Sequence, residues 1–440
     1  MGSGTGYFVA MAVIVQKYGG TSVGDAERIR RVAERVVAAA DSGHRVCVAI
    51  SAMGSTTDEL LSLAAQISPL PHERELDMLL TAGERISMAL LSMAIIERGR
   101  EAISLTGSQA GILTDTSHGK AKIVEVRARR VLEALDAGKI VIVAGFQGVS
   151  TDTYDVTTLG RGGTDATAVA LAAALGAEFC EIYTDVDGVF TADPRVVADA
   201  RKLHAVSYEE MLELSAAGAK VLMLRCVEFA RNHGVLVHVR SSFHDGTGTW
   251  VRREDERMEQ AIISGIAHDT SEAKVTIHGV PDRPGVAARV FRPLADEGVN
   301  VDMIVQNVSV AGRSDISFTL PKEDIIRAKP VLDATAEEVG AESVETDPDI
   351  AKVSLVGAGM KTHPGVAADM FDALADAGIN IEVISTSSIR VSCVVRASEV
   401  DRAVRVIHDR FRLSEEALFR EAHPATVTDQ MKALKGDLDS

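Results

Sequence analysis

From residue 11 to about residue 241, short β-branched and aliphatic runs alternate with longer amphipathic stretches. That alternation is the sign of strand-helix-strand units feeding a largely parallel sheet covered by helices. The clearest strands fall at 13–15, 46–50, 140–144, 179–183 and 235–239. After the first of them, Ile29, Val32, Ala33, Val36 and Val37 recur at helical period with Arg and Glu opposite, so this face is expected to pack on the sheet. A polar, charged stretch over 244–260 breaks the pattern and marks the main domain boundary.

Beyond the boundary the chain repeats itself. Residues 284–301 (PGVAARVFRPLADEGVNV) match 364–381 (PGVAADMFDALADAGINI) at eleven of eighteen positions, at a shift of 80. Each copy reads strand, helix, strand, strand, helix. In the first copy these fall at 274–279, after Pro284, at 301–308, at 315–320 and from about Lys322. This order is that of a ferredoxin-like α+β sandwich. The expected division is 11–245, a linker over 246–260, one module over 261–348 and a second over 349–423. The strand that opens the first module belongs either to it or to the second. Residues 1–10 read as a leader outside the fold, and 424–440 as a frayed polar tail.

Composition narrows the function. A total of 46 Lys and Arg against 63 Asp and Glu leaves a net charge of -17, which argues against a nucleic-acid partner. Cys47, Cys180, Cys226 and Cys393 are scattered, without the spacing of a zinc site or a redox dithiol, so no resident metal and a reducing, cytoplasmic setting are expected. No apolar run reads as a membrane span.

Three glycine-containing turns follow predicted strands, where an open α/β sheet places its ligands. In the first, Lys17, Tyr18, Gly19 and Gly20 precede the amphipathic helix. Glycines allow close backbone approach, N–H groups attract anions, and Lys17 adds a full charge, although the spacing is not that of a P-loop. The alternative is a tight turn with a solvated lysine. In the second, Arg161 stands among Gly160, Gly162 and Gly163, free to clamp a carboxylate, and Thr164 or Asp165 is expected to cap the next helix. The third holds Thr184, Asp185 and the run Phe190, Thr191, Ala192, Asp193, Pro194 and Arg195, equally consistent with a surface hairpin. Two further stretches stand at predicted element ends. Ser51, Ser55, Thr56 and Thr57 form a row of hydroxyls, and Glu84 sits where the apolar helix 86–96 is expected to open, near its dipole.

The runs KYGGTSVG, SAMGSTTDEL, LLTAGERISMALL, VAGFQGV, TTLGRGGTDATAVALAAAL and YTDVDGVFTADPR, in this order and ahead of two PGVAA modules, resemble an aspartate kinase of the amino-acid kinase superfamily. The similarity runs from about Val13 to Phe411, and is greatest to the actinobacterial lysine- and threonine-responsive type. It implies a three-layer kinase domain with a largely parallel central sheet, then two ACT domains of βαββαβ order. It implies ATP and Mg²⁺ as cofactors, with Lys17, Tyr18, Gly19, Gly20, Thr184, Asp185, the run Phe190 to Arg195, and Lys220 on the nucleotide. Glu84 would face the ammonium of L-aspartate and Arg161 a carboxylate, with Ser51, Ser55, Thr56, Thr57, Gly162, Gly163 and Thr164 lining the pocket. Lys17, Asp165 and Lys220 would be catalytic, and the product 4-phospho-L-aspartate would lead toward lysine, threonine and methionine. Lysine and/or threonine would bind at Asp282, Arg283, Pro284, Gly285, Val286, Ala287, Asn300, Val301, Asp302 and Gln306, opposite residues after His363 and around Ser385. A homo-oligomer, or an α2β2 assembly with a shorter chain started at Met258, is the implied assembly.

Several positions depart from the family pattern. Thr164 and Ala166 stand for Ser and Thr in the GRGGSDTTA run, Pro293 interrupts the first repeat's helix where the second has Ala373, and Ser388 replaces a carboxylate. An interior proline costs about 3 kcal/mol unless the helix kinks or ends. With Pro293 and Ser388 near the effector interface, weakened or altered inhibition by lysine plus threonine is expected. The competing readings are a related kinase acting on acetylglutamate or glutamate, and a catalytically dead amino-acid sensor.

Overall fold

The computed structural model describes residues 12–254, 263–307, 311–361, 363 and 365–415. The leader, Met258 and the tail over 424–440 lie outside the described residues. The amino-terminal half runs β1 (Val13–Tyr18), α1 (Ala26–Asp41), β2 (Arg45–Ile50), α2 (Thr56–Ile67), α3 (Glu73–Ile96), β3 (Ala102–Leu105), β4 (Ile112–Thr114), β5 (Ile123–Val126), α4 (Arg129–Asp136), β6 (Ile140–Ala144), β7 (Gln147–Ser150) and β8 (Val156–Thr158). It continues with α5 (Gly163–Leu175), β9 (Phe179–Thr184), β10 (Ala205–Ser207), α6 (Tyr208–Ala216), α7 (Leu224–His233), β11 (Val237–Ser241) and β12 (Thr249–Arg252). The main sheet has eight strands in the order β10-β12-β11-β9-β1-β2-β6-β3, parallel from β11 to β3, with β12 running antiparallel to β11. A small sheet β5-β4-β7-β8 stands beside it.

Alternation along the strands builds three layers. Val13 and Val15 of β1, with Cys47 and Ala49 of β2, face one core, against α4, α5, α6 and α7. Ile14, Tyr18, Val46, Val48 and Ile50 face the other, against Ile29, Val32, Ala33 and Val36 of α1 and Leu91 and Ile95 of α3. β1 is the point at which strand order reverses: β2 follows on one side and β9 lies on the other. Ligands of open α/β sheets bind outside the carboxyl ends of strands at such a point.

α3 is long and apolar enough to span a membrane by length and composition, but in this fold it packs on α1 and the sheet. It also buries Asp77 and Glu84. It begins at Glu73, so Glu84 lies in mid-helix and not at the start expected from the sequence. Gly83 has a different reason to be there. A β-carbon on it would stand 2.7 Å from that of Ala52, so its glycine serves close contact with the loop after β2 and not a helix boundary.

The repeated half holds β13 (Gly265–Asp269), β14 (Glu272–Pro281), α8 (Val286–Asp296), β15 (Asp302–Gln306), β16 (Arg313–Pro321), α9 (Ile325–Val339), β17 (Ser343–Asp347), β18 (Ile350–Val356), α10 (Val366–Asp376), β19 (Val383–Thr386), β20 (Arg390–Arg396) and α11 (Val400–Arg410). Its two four-stranded sheets are β15-β16-β14-β17 and β13-β18-β20-β19. The strand that opens this half therefore pairs with the second module, and the first closes its sheet with β17. The α8 helix continues through Pro293 to Asp296. Lys352 of β18, wholly buried, joins the modules through Glu272 at 2.5 Å and Asp302 at 2.8 Å.

Candidate active site

The carboxyl ends of β1, β2, β6 and β9 supply the site. Lys17 shares the sheet face of Val13 and Val15, toward α5, and its Nζ lies 2.6 Å from Asp165 Oδ1, with both side chains largely buried. α5 is apolar nearly all round and rich in alanine, so it sits close against β1 and aims its first turn at the end of that strand. Its cap is not Thr164 or Asp165. Gly162, in left-handed conformation, precedes the first helical residue, which leaves both side chains free for other partners. Asp165 meets Lys17, while Thr164 Oγ1 accepts a hydrogen bond from Ser51 Oγ at 2.9 Å. Arg161, three residues before Thr164, is exposed.

Around Lys17 the first glycine turn becomes a 3-10 turn over Gly20–Val23, and the Gly20 carbonyl accepts from Gly54 N at 3.0 Å. The turns after β1 and β2 are thus laid side by side. Ser55 does not cap α2 with its side chain and instead donates to Glu59 at 2.6 Å; Thr56 and Thr57 open the helix, half-buried. Glu84 reaches this corner from α3. Its Oε1 accepts from Ala52 N at 3.1 Å, while its Oε2 is buried with no hydrogen-bond partner among the described residues. Burial pushes the carboxyl up to about 7, only partly offset by backbone hydrogen bonds. An anionic oxygen held in a dry corner without a donor is a place for a cation to enter.

On the other side of β1, Thr184 donates to Asp185 at 3.1 Å at the end of β9. Asp193 and Arg195 pair within their own loop at 2.7 Å, and the hydrogen bond from Arg195 holds the Asp193 carboxyl below its usual range. The run Phe190 to Arg195 is not uniformly open to a nucleotide. Thr191 and Ala192 are buried, and Ala192 belongs to the apolar core of the second module, so their side chains face that module. Lys220 is exposed just past α6.

Two residues that the sequence reading missed support the arginine loop. Asp77 accepts from Thr158 Oγ1 at 2.5 Å and from Gly119 N at 3.1 Å, tying β8 to the neighbouring loop. Arg225 donates to the carbonyls of Leu159 at 3.0 Å and Ala121 at 2.7 Å. A signal for Asp77 is its place two helical turns before Glu84, on the same face of α3; Arg225 gave none.

In the first module Asp282, Arg283, Pro284, Gly285, Val286, Ala287 and Gln306 line one cavity of about 370 Å³. Asn300, Val301 and Asp302 do not line it. Val301 packs on the module's core and Asp302 pairs with Lys352. The second module repeats the feature with a cavity of about 310 Å³ lined by Met360, His363, Gly365, Ser387 and Ser388, among others. Pro293 lies six residues past Ala287, roughly 9 Å along the helix from the first cavity.

The amino acid kinase family matches residues 12–241, and the ACT domain matches 275–335 and 353–411. The chain is 60% identical over 407 residues to the aspartokinase of Mycolicibacterium smegmatis, a match covering 92% of this chain and 97% of that one. Among solved structures, Escherichia coli aspartokinase III in complex with aspartate and ADP is similar at a TM-score of 0.77 and 26% identity, covering 90% of this chain and 99% of that one. The same enzyme in complex with lysine and aspartate is similar at a TM-score of 0.70 and 26% identity, covering 91% and 99%.

Proposed function

The chain belongs to the amino acid kinase family and, within it, to the aspartokinases, and from that we propose that it transfers the terminal phosphoryl group of ATP to the side-chain carboxylate of L-aspartate. The observation that carries this reading is the 2.6 Å contact of Lys17 with Asp165, which joins the glycine turn suited to phosphates to the loop that bears Arg161. One carboxylate oxygen attacks the γ-phosphorus, the bond from that phosphorus to the β,γ-bridging oxygen breaks, and 4-phospho-L-aspartate and ADP leave. The nucleophile is already ionised at neutral pH, so no strong base is required. The barrier is anion against anion, and what the site must supply is alignment and positive charge.

Each residue has a part in that task. Glu84 Oε2 receives the substrate ammonium, and Arg161 takes a carboxylate in bidentate fashion. Ser51, held by Thr164, fixes the floor between them. Lys17 and the N–H groups of Gly19 and Gly20 hold the phosphates, Asp165 keeps Lys17 aimed, and Lys220 closes on the nucleotide bound beside Thr184 and Asp185. Mg²⁺ supplies neutralisation of charge across the phosphates. Among the described residues there is no group of three or more metal-ligating side chains. A cation that keeps waters and phosphate oxygens as ligands needs only one or two carboxylates; exposed Asp185 at the end of β9, and the Asp165 oxygen not taken by Lys17, would hold it. The two module cavities are read as sites for lysine and/or threonine, and the enzyme as a cytoplasmic oligomer that starts the route to lysine, threonine and methionine.

The test is a hydroxylamine-coupled assay with aspartate, glutamate and acetylglutamate in parallel. An acyl phosphate traps as a hydroxamate, and the expected result is hydroxamate from aspartate alone. Equal product from another acceptor would move the substrate, and none from any would leave a sensor.

A further inference from the structure

The second module grips the amino-terminal half on two borders. On one border lies the segment after β9. Its Ala192 and Val197 sit in the module's apolar core with Ile266, Val353 and Leu355. Thr191 is enclosed there. Its carbonyl accepts from Ile266 N at 2.7 Å, its hydroxyl accepts from Arg201 N at 2.9 Å, and that hydroxyl stands 3.0 Å from Nε2 of His408 on α11. His408 is wholly buried, and its Nδ1 has no partner among the described residues, so Thr191 is what fixes the ring.

On the other border lies α6. Ser207 and Glu210 form a capping box at its start, and Glu210 Oε1 also accepts from Ala358 N of the second module at 3.1 Å. One turn later Glu213 accepts from Ser387 Oγ at 3.1 Å and pairs with Arg390 at 3.0 Å. The helix then ends, and Gly218, with φ 109°, lies so close to the His268 carbonyl of β13 that a β-carbon would meet it at 2.2 Å. Lys220 follows two residues on. Ser387 also lines the second module's cavity, so whatever fills that cavity bears on the same helix.

We propose that His408 and Glu213 are positioning residues for the nucleotide, the first setting segment 190–195 and the second setting α6 and hence Lys220. The proposal rests on the reading that this segment and Lys220 hold ATP. Neither residue touches the aspartate corner formed by Ser51, Ala52 and Glu84, and their loss therefore acts on ATP alone. The structural reason is leverage: one contact closes on the segment that follows β9, the other on the helix that precedes Lys220, and neither on the turn after β2.

The experiment measures KM for MgATP and KM for aspartate separately in full-length His408→Leu, His408→Gln, Glu213→Arg and the charge-swapped Glu213→Arg/Arg390→Glu enzymes. His408→Leu and Glu213→Arg are expected to raise KM for MgATP about fivefold, the scale of one lost hydrogen bond or ion pair, with KM for aspartate changed less than about twofold. His408→Gln, which keeps a partner for Thr191, and the charge swap are expected to return toward the wild-type value. Equal rises in both constants, or an unchanged KM for MgATP, would overturn the proposal. If His408→Leu does not fold, the charge swap carries the test alone. Lys17→Ala is assayed beside them for equilibrium binding of ATP. Undiminished binding there would contradict the reading of the cleft itself, whereas loss there with intact binding in the other variants contradicts only the positioning.

Discussion

Burial carries the Glu84 carboxyl well away from its ordinary state. Its folded-state pKa, about 7, lies above the ordinary value of 4.5, so the folded protein holds the proton more tightly than the unfolded chain does. The associated stability is full below the ordinary value and is lost as pH rises toward 7. Glu84→Gln removes this cost and is expected to stabilise the unliganded protein by about 1–3 kcal/mol above pH 7, read as a rise in Tm. The same variant cannot pair with an ammonium, so KM for aspartate should rise at least tenfold. In the wild type, affinity for aspartate should weaken as pH falls below about 7, the value at which the carboxyl gains its proton. A Tm that fell in Glu84→Gln, with KM for aspartate intact, would remove Glu84 from the site. Asp165 makes a second case. Asp165→Asn leaves the Ser51 to Thr164 bond in place but frees Lys17, and kcat is expected to fall about 10²- to 10³-fold with Tm little changed.

Elements show which parts of the fold could be read without coordinates. β1, β2, β6 and β9 and the buried stripe of α1 follow from local period, because alternation and the 3.6-residue repeat report directly on which face is buried. What failed was punctuation. Glu84 looked like the opening of a helix and lies in the middle of α3, beside the contact point Gly83; Thr164 and Asp165 looked like caps and are bonded to Ser51 and Lys17. In each case a distant segment, Ala52, Ser51 or Lys17, decides the role, and no local pattern carries that information. The pairing of β13 with the second module was equally hidden, since either sheet could take an apolar strand. Gly83→Ala tests the close contact: it should push the turn after β2 outward, cost about 1–3 kcal/mol in urea denaturation and raise KM for aspartate more than KM for ATP.

At the level of the assembled chain, the two modules are joined by charge as well as by apolar packing. Lys352 spans from β18 to Glu272 and Asp302 of the first module, and Arg396 of β20 reaches Asp347 of β17 at 2.5 Å. Removing one member of a buried ion group leaves the others desolvated and unpaired, which typically costs 3–5 kcal/mol. Lys352→Met is therefore expected to lower the urea midpoint and to split unfolding into more than one step as the modules separate. A single unshifted transition would show that this charge does not hold the modules together. The second module is also joined to the amino-terminal half: it shares a core with segment 190–201 through Ala192 and Val197 and meets α6 at Glu210 and Glu213.

The most direct measurement is a crystal structure of the enzyme with L-aspartate and a non-hydrolysable ATP analogue bound together. The expected outcome is the ammonium on Glu84, a carboxylate on Arg161, the phosphates on Lys17, Gly19 and Gly20, and the attacking oxygen about 3–3.5 Å from the γ-phosphorus. Two ligands in separate clefts, or an amino acid bound away from Arg161, would contradict it.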